Sequence, residues 1–207
     1  MTSSANHPWV EFWILRVLEL TANAFDNRTR GEGSTGGRGD WDSYLEREFA
    51  MPILASAAAI ESLLNEADEV TGFRAPKSCA CRGSHGASCH RSDRSEHRVL
   101  RHFEDVDQIT YRQIETIRKA RNAMVHSSGG NSLRAYQDLI HNKELLVELL
   151  SPIMNLLRAF VNHPDDVVAA RFFGIYRRVN EQIRADNRIR VREETTDVGP
   201  ELSFGRV

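Results

Sequence analysis

The sequence predicts an all-α protein, a bundle of four to five helices interrupted by two long loop insertions. Three observations predict it. Apolar residues recur at spacings of three and four through most of the chain, no stretch alternates strongly enough for a sheet, and two polar segments break the helical pattern. The 207 residues, 41% hydrophobic and 27% charged, suit one globular domain with a buried core.

The first helix is expected from Pro8 to about Asn27, with Val10, Trp13, Val17, Leu20 and Ala24 on one stripe. Residues 28 to 43, "RTRGEGSTGGRGDWDS", are glycine-rich and read as the first loop. The second helix begins near Tyr44 or Pro52 and runs to about Val70, its stripe being Ile53, Ala57, Ile60, Leu64 and Ala67. Glu61 and Asn65 border that stripe, and Pro52 either opens the helix or kinks it.

Residues 71 to 93 read as the second loop and hold all three cysteines. Helical character returns near Arg94 and continues, with a break around Asp105, to His126; Ile109, Ile114, Ile117, Ala120 and Met124 mark its inner side. A further helix is expected from about Asn142 to Val161, kinked at Pro152. "HPDD" starts the last one, since acidic residues suit a helix N-terminus, and it runs to about Ala185. Residues 8–185 thus form the helical domain. Residues 186–207 are charged and aperiodic and are expected to be a mobile tail, although "RIRVRE" could make a short strand.

A formal net charge of -2 argues against a dedicated nucleic-acid scaffold, which is usually strongly basic, but leaves room for a local basic site. No apolar run reaches the roughly 18 residues of a membrane span. The first residues lack the pattern of a signal peptide, so a cytoplasmic protein without membrane partners is the expectation. In that setting "RGD" at residues 38–40 and the "NRT" sequon at Asn27 read as chance occurrences. Trp9, Trp13, Phe172 and Phe173 read as core or dimer interface. The basic group Arg177, Arg178, Arg184, Arg188, Arg190 and Arg192 reads as a solvated face paired with nearby acids, though it could also help to hold RNA.

The segment with the most chemistry is "RKARNAMVH", residues 118 to 126, followed by "SSGG". Asn122 and His126 are four apart and share a helix face. Arg121 and His126 are five apart, about 140° around an ideal helix. A long arginine side chain, or an unwound last turn at "SSGG", narrows that gap. Histidine exchanges protons near neutrality, and arginine holds a phosphate through paired hydrogen bonds. Asparagine can orient either of them, and Arg118 and Lys119 add positive charge. RNA brings its own nucleophile, the 2′-hydroxyl, so a base and a cation suffice to cleave it without a metal. The same residues also suit an ordinary capped and solvated helix end.

"RNAMVH" resembles the signature of HEPN domains, the higher eukaryotes and prokaryotes nucleotide-binding family, in which four to six residues lie between an Arg and a following His. "AAAIESLLNE", residues 57 to 66, is similar to the earlier Glu- and Asn-bearing helix of that family. The resemblance spans residues 8 to 185. It implies a helical fold that dimerises, two signatures facing one cleft, and in many members metal-independent endoribonuclease activity within toxin–antitoxin or antiviral systems. Other members are binding modules. On this resemblance Arg121 and His126 are the catalytic pair and Asn122 their helper. Arg118, Lys119, Glu61 and Asn65 are substrate-binding candidates, and Glu61 and Asn65 equally suit a buried polar pair. The expected partners are RNA, a second copy of the chain and an antitoxin or other defence-system protein.

"CACRGSHGASCH" places Cys79, Cys81, His85, Cys89 and His90 within one short segment. Thiolate and imidazole are zinc's preferred ligands, so four of these could surround a structural ion. A polar insertion that is merely rich in Cys and His is the competing reading. No cofactor is expected for catalysis. A zinc-stabilised interaction domain, centred on this loop, is a third functional class beside nuclease and silent binding module.

Overall fold

A computed structural model describes residues 8–31, 38–72, 95–103, 107–126, 131–140, 145–185, 189–192 and 201–204. Seven helices lie among them: α1 (Pro8–Gly31), α2 (Arg38–Val70), α3 (Ser95–His102), α4 (Gln108–His126), α5 (Asn131–Ile140), α6 (Leu145–Val161) and α7 (Asp166–Ala185). Two short strands follow, β1 (Ile189–Arg192) and β2 (Glu201–Phe204). They pair antiparallel, Ile189 opposite Phe204 and Arg192 opposite Glu201.

The domain is therefore helical, as the periodicity requires, but four to five helices is too few. The residues from 94 to 126 divide into α3 and α4, and α5 occupies a stretch expected to be a connection. Most of the first expected loop is also helical. α1 continues to Gly31 and α2 starts at Arg38, so the "RGD" tripeptide opens a helix. Residues 32–37 of that loop, and 73–93 of the second, lie outside the described residues. β1 falls on the "RIRVRE" run; its partner β2 carries no comparable signal.

Helix ends follow from specific side chains. Asp107 caps α4: its carboxylate accepts from the amides of Ile109 (3.1 Å) and Thr110 (2.9 Å) and from the Thr110 hydroxyl (2.8 Å). Asp165 caps α7 in the same way through the Val167 amide at 2.8 Å. Just past the end of α2 stands Gly72, whose φ of +66° is a backbone conformation that glycine adopts without strain. Pro52 sits inside α2, which starts at Arg38, ahead of both starts expected for that helix.

α2 is the central element, touching each of the other six helices. Its buried Ile53, Ile60, Leu63 and Leu64 meet Ile14 of α1, Ile114 and Ile117 of α4, and Leu149 of α6 in one core. Phe160 of α6 stacks on Phe172 of α7, with ring centroids 4.5 Å apart, and Phe103 closes on Phe160 at 4.9 Å. The most extensive interfaces join α1 to α2 and α4 to α5. Not every expected inner residue is buried. Ile109, in the first turn of α4, is 67% exposed. Phe172 is buried and Trp13 half-buried, whereas Trp9 and Phe173 are exposed. No helix among the described residues is long and apolar enough to cross a membrane.

Candidate functional site

The signature occupies the last turns of α4. Ile114, Ile117 and Ala120 are buried and hold this helix against the core. Arg118 and Arg121 flank them and, with Glu61, Ala57 and Ile60 of α2, line a small recess closed by Ser95. Its volume is about 10 Å3, which admits roughly one water molecule. The recess brings Glu61 to the signature helix but is too small for a nucleotide. A phosphodiester would have to meet Arg121 from the outer side of α4.

Arg121 donates from Nη1 to Asn122 Oδ1 at 3.1 Å, and both side chains are half-buried. The bond fixes the guanidinium against its neighbour and leaves its other donors to be used. His126 is the last residue of α4 and is exposed, next to an exposed Val125. Arg121 is thus seated against the fold, while His126 stands at its edge. Lys119 is paired with Glu115 across one turn, Nζ to Oε1 at 2.9 Å, so part of its charge is already matched.

Asn65 stands elsewhere. Its Oδ1 accepts from Arg98 Nη2 at 2.8 Å, in a polar cluster between α2 and α3. Arg98 also reaches Asp68 through Nη2 (2.6 Å) and Nε (3.2 Å), and His102 Nε2 contacts the other Asp68 oxygen at 2.7 Å. The His102 side chain is only 3% exposed. Burial holds its imidazole below the ordinary value of 6.5, outweighing the opposing hydrogen bond and charge of Asp68. Neutral His102 therefore donates to Asp68 from Nε2, its ring lying edge-on to Phe160. Sequence reading missed this cluster. The one local signal was Arg98 and His102 four apart, on a common face of a short helix.

A second buried charge pair, Glu66 of α2 with Arg171 of α7, ties those helices together. Of the basic group near the end of the chain, Arg178 pairs with Glu11 at 2.7 Å and Arg177 lies 3.8 Å from Glu181. Both belong to a solvated, acid-paired face. Cys79, Cys81, His85, Cys89 and His90 lie outside the described residues. Among those described, no group of three or more His, Cys, Asp or Glu side chains is placed to hold a metal. The chain matches no protein-family model, no curated protein and no solved structure.

Proposed function

We propose that the chain is a metal-independent endoribonuclease of the HEPN type, acting as a homodimer in a toxin–antitoxin or antiviral system. The supporting observation is the Arg121–Asn122 hydrogen bond near the end of a core-anchored helix whose last residue is His126, with Glu61 lining the recess beside Arg121. In this reading Arg121 binds the scissile phosphate and carries the charge that builds on it. His126 takes the 2′-hydroxyl proton and returns a proton to the leaving 5′-oxygen, while Asn122 holds Arg121 in place. The products are a 2′,3′-cyclic phosphate and a 5′-hydroxyl. Because Arg121 is seated and His126 stands at the rim, a second copy facing the first would supply the opposite wall of the cleft.

The test is incubation of the purified chain with mixed RNA in EDTA, beside Arg121→Ala and His126→Ala. His126→Ala should lose about a hundredfold or more of the rate, the usual worth of a positioned acid or base. Arg121→Ala should lose a similar factor, through the charge it supplies. Intact RNA with the wild type, and no growth arrest on expression, would refute the reading. So would equal cleavage by both variants.

The rival reading is a catalytically silent module of the same type that binds a nucleotide, an RNA or a protein. What favours it is the Arg121–Asn122 bond together with the nearly closed recess, which give Arg121 a structural use. RNA retained in a gel shift without cleavage, and weakened by Arg121→Ala, would select it.

A further inference from the structure

At the opposite end of α4, about 24 Å from His126 at 1.5 Å per residue, lies an open cleft of about 370 Å3. It is enclosed by the end of α3, the first turn of α4 and the last two turns of α6. That volume falls within the lower range of small-molecule sites. Its apolar surface comes from Phe103, Leu156 and Ala159. Phe103 is fixed there, its ring 4.9 Å from Phe160 and 5.8 Å from His163.

The polar side of the cleft is mostly satisfied from within. Thr110 gives its hydroxyl proton to Asp107 and accepts from Asn155 Nδ2 at 3.0 Å. The Asp107 carboxylate is turned to the α4 cap, where the Thr110 amide and hydroxyl and the Ile109 amide offset its charge. Arg158 is the remaining charge. It is half-buried in the cleft wall and has no ion pair among the described residues. Arg98 and Arg171, whose side chains are 12% and 20% exposed, each hold a carboxylate. With no carboxylate on it among the described residues, a half-buried guanidinium beside an apolar floor can take its counter-charge from a ligand.

We infer that this cleft is a binding site for a small organic anion with an apolar or aromatic body. Arg158 holds the anionic group, and the body lies against Phe103, Leu156 and Ala159. The site is separate from the signature end of α4 and does not depend on ribonuclease activity.

Calorimetric titration of the full chain tests this with phenylacetate and phenyl phosphate, which separate carboxylate from phosphate ligands. Phenylacetamide and phenethylamine are the neutral and cationic counterparts. At least one anion should bind saturably, the amide and amine should bind more weakly, and Arg158→Gln should weaken the anion by about tenfold or more. Ala159→Leu, which fills the floor and leaves every charge in place, should weaken it too and serves if Arg158→Gln fails to fold. The inference is overturned if neither anion binds. It is equally overturned if the amide binds as tightly as the anion, or if the folded variants bind as the wild type does.

Discussion

Replacing Asp68 with alanine should destabilise the protein by about 3 kcal/mol. Asp68 is the common acceptor for Arg98 and His102, so it fastens α3 to α2. Removing one partner of a buried ion pair costs roughly 3–5 kcal/mol, because the other charge is left without compensation. The side chains of Asp68 and Arg98 are 18% and 12% exposed, so water reaches the pair a little. Asn65 also still accepts from Arg98. Both considerations place the loss at the lower end of that range. Asp68→Asn preserves shape and some hydrogen bonding, and should cost about half as much. Urea denaturation reads the effect as a lower midpoint with an unchanged slope. A cycle adding Arg98→Met should show a coupling of about 1–2 kcal/mol between the two sites. A loss below about 1 kcal/mol for Asp68→Ala, or strict additivity in the cycle, would show that the cluster does not hold α3 in place.

Three further outcomes are expected. Burial holds His102 below its ordinary 6.5, so the unfolded chain protonates there first. The contribution is whole above pH 6.5 and is lost as pH falls from there to the lower folded value. The urea midpoints of wild type and His102→Gln should therefore draw together on acidification, and a widening gap would contradict the assignment. Asp107→Ala should cost about 1 kcal/mol through loss of the α4 cap, read by thermal melting. The Thr110 and Ile109 bonds hold that carboxyl below its ordinary 3.8, so its contribution persists above pH 3.8 and is lost as pH falls through the folded value. Phe160→Ala should cost about 3–5 kcal/mol in denaturant, since it empties the centre of the Phe103–Phe160–Phe172 stack.

Long amphipathic stretches were legible in the sequence, and the contacts between them were not. The stripe Ile53, Ile60, Leu64 and Ala67 is buried in α2 as expected. α5 was missed because it is short: among its described side chains Ala135, Leu139 and Ile140 are buried and Tyr136 packs against the core, a pattern covering less than two turns. Glycine's low helix propensity argued for a loop over 28–43, yet α2 extends back through Gly39, as propensity is readily overridden by context. Glu61 and Asn65 show where sequence reading stops. They are four apart on one edge of α2, but α4 covers the turn bearing Glu61 and α3 the turn bearing Asn65. One therefore lies beside Arg118 and Arg121, and the other beside Arg98. No local pattern could report this, because the partners stand some thirty to sixty residues further along the chain. The spacing of Arg121, Asn122 and His126 was visible at once. The difference in their exposure became visible only with the helix ends in place.

The predominance of the α1–α2 and α4–α5 interfaces bears on how the chain assembles. Each is a pairing of consecutive helices, so much of the contact surface closes over short sequence separations. Local contacts of this kind form early and quickly, before the long-range closures that bring α6 and α7 onto α2. The α4–α5 hairpin carries Arg121, Asn122 and His126 within its own first helix. Its local geometry thus rests on contacts close in sequence, and its placement beside Glu61 on contacts distant in sequence.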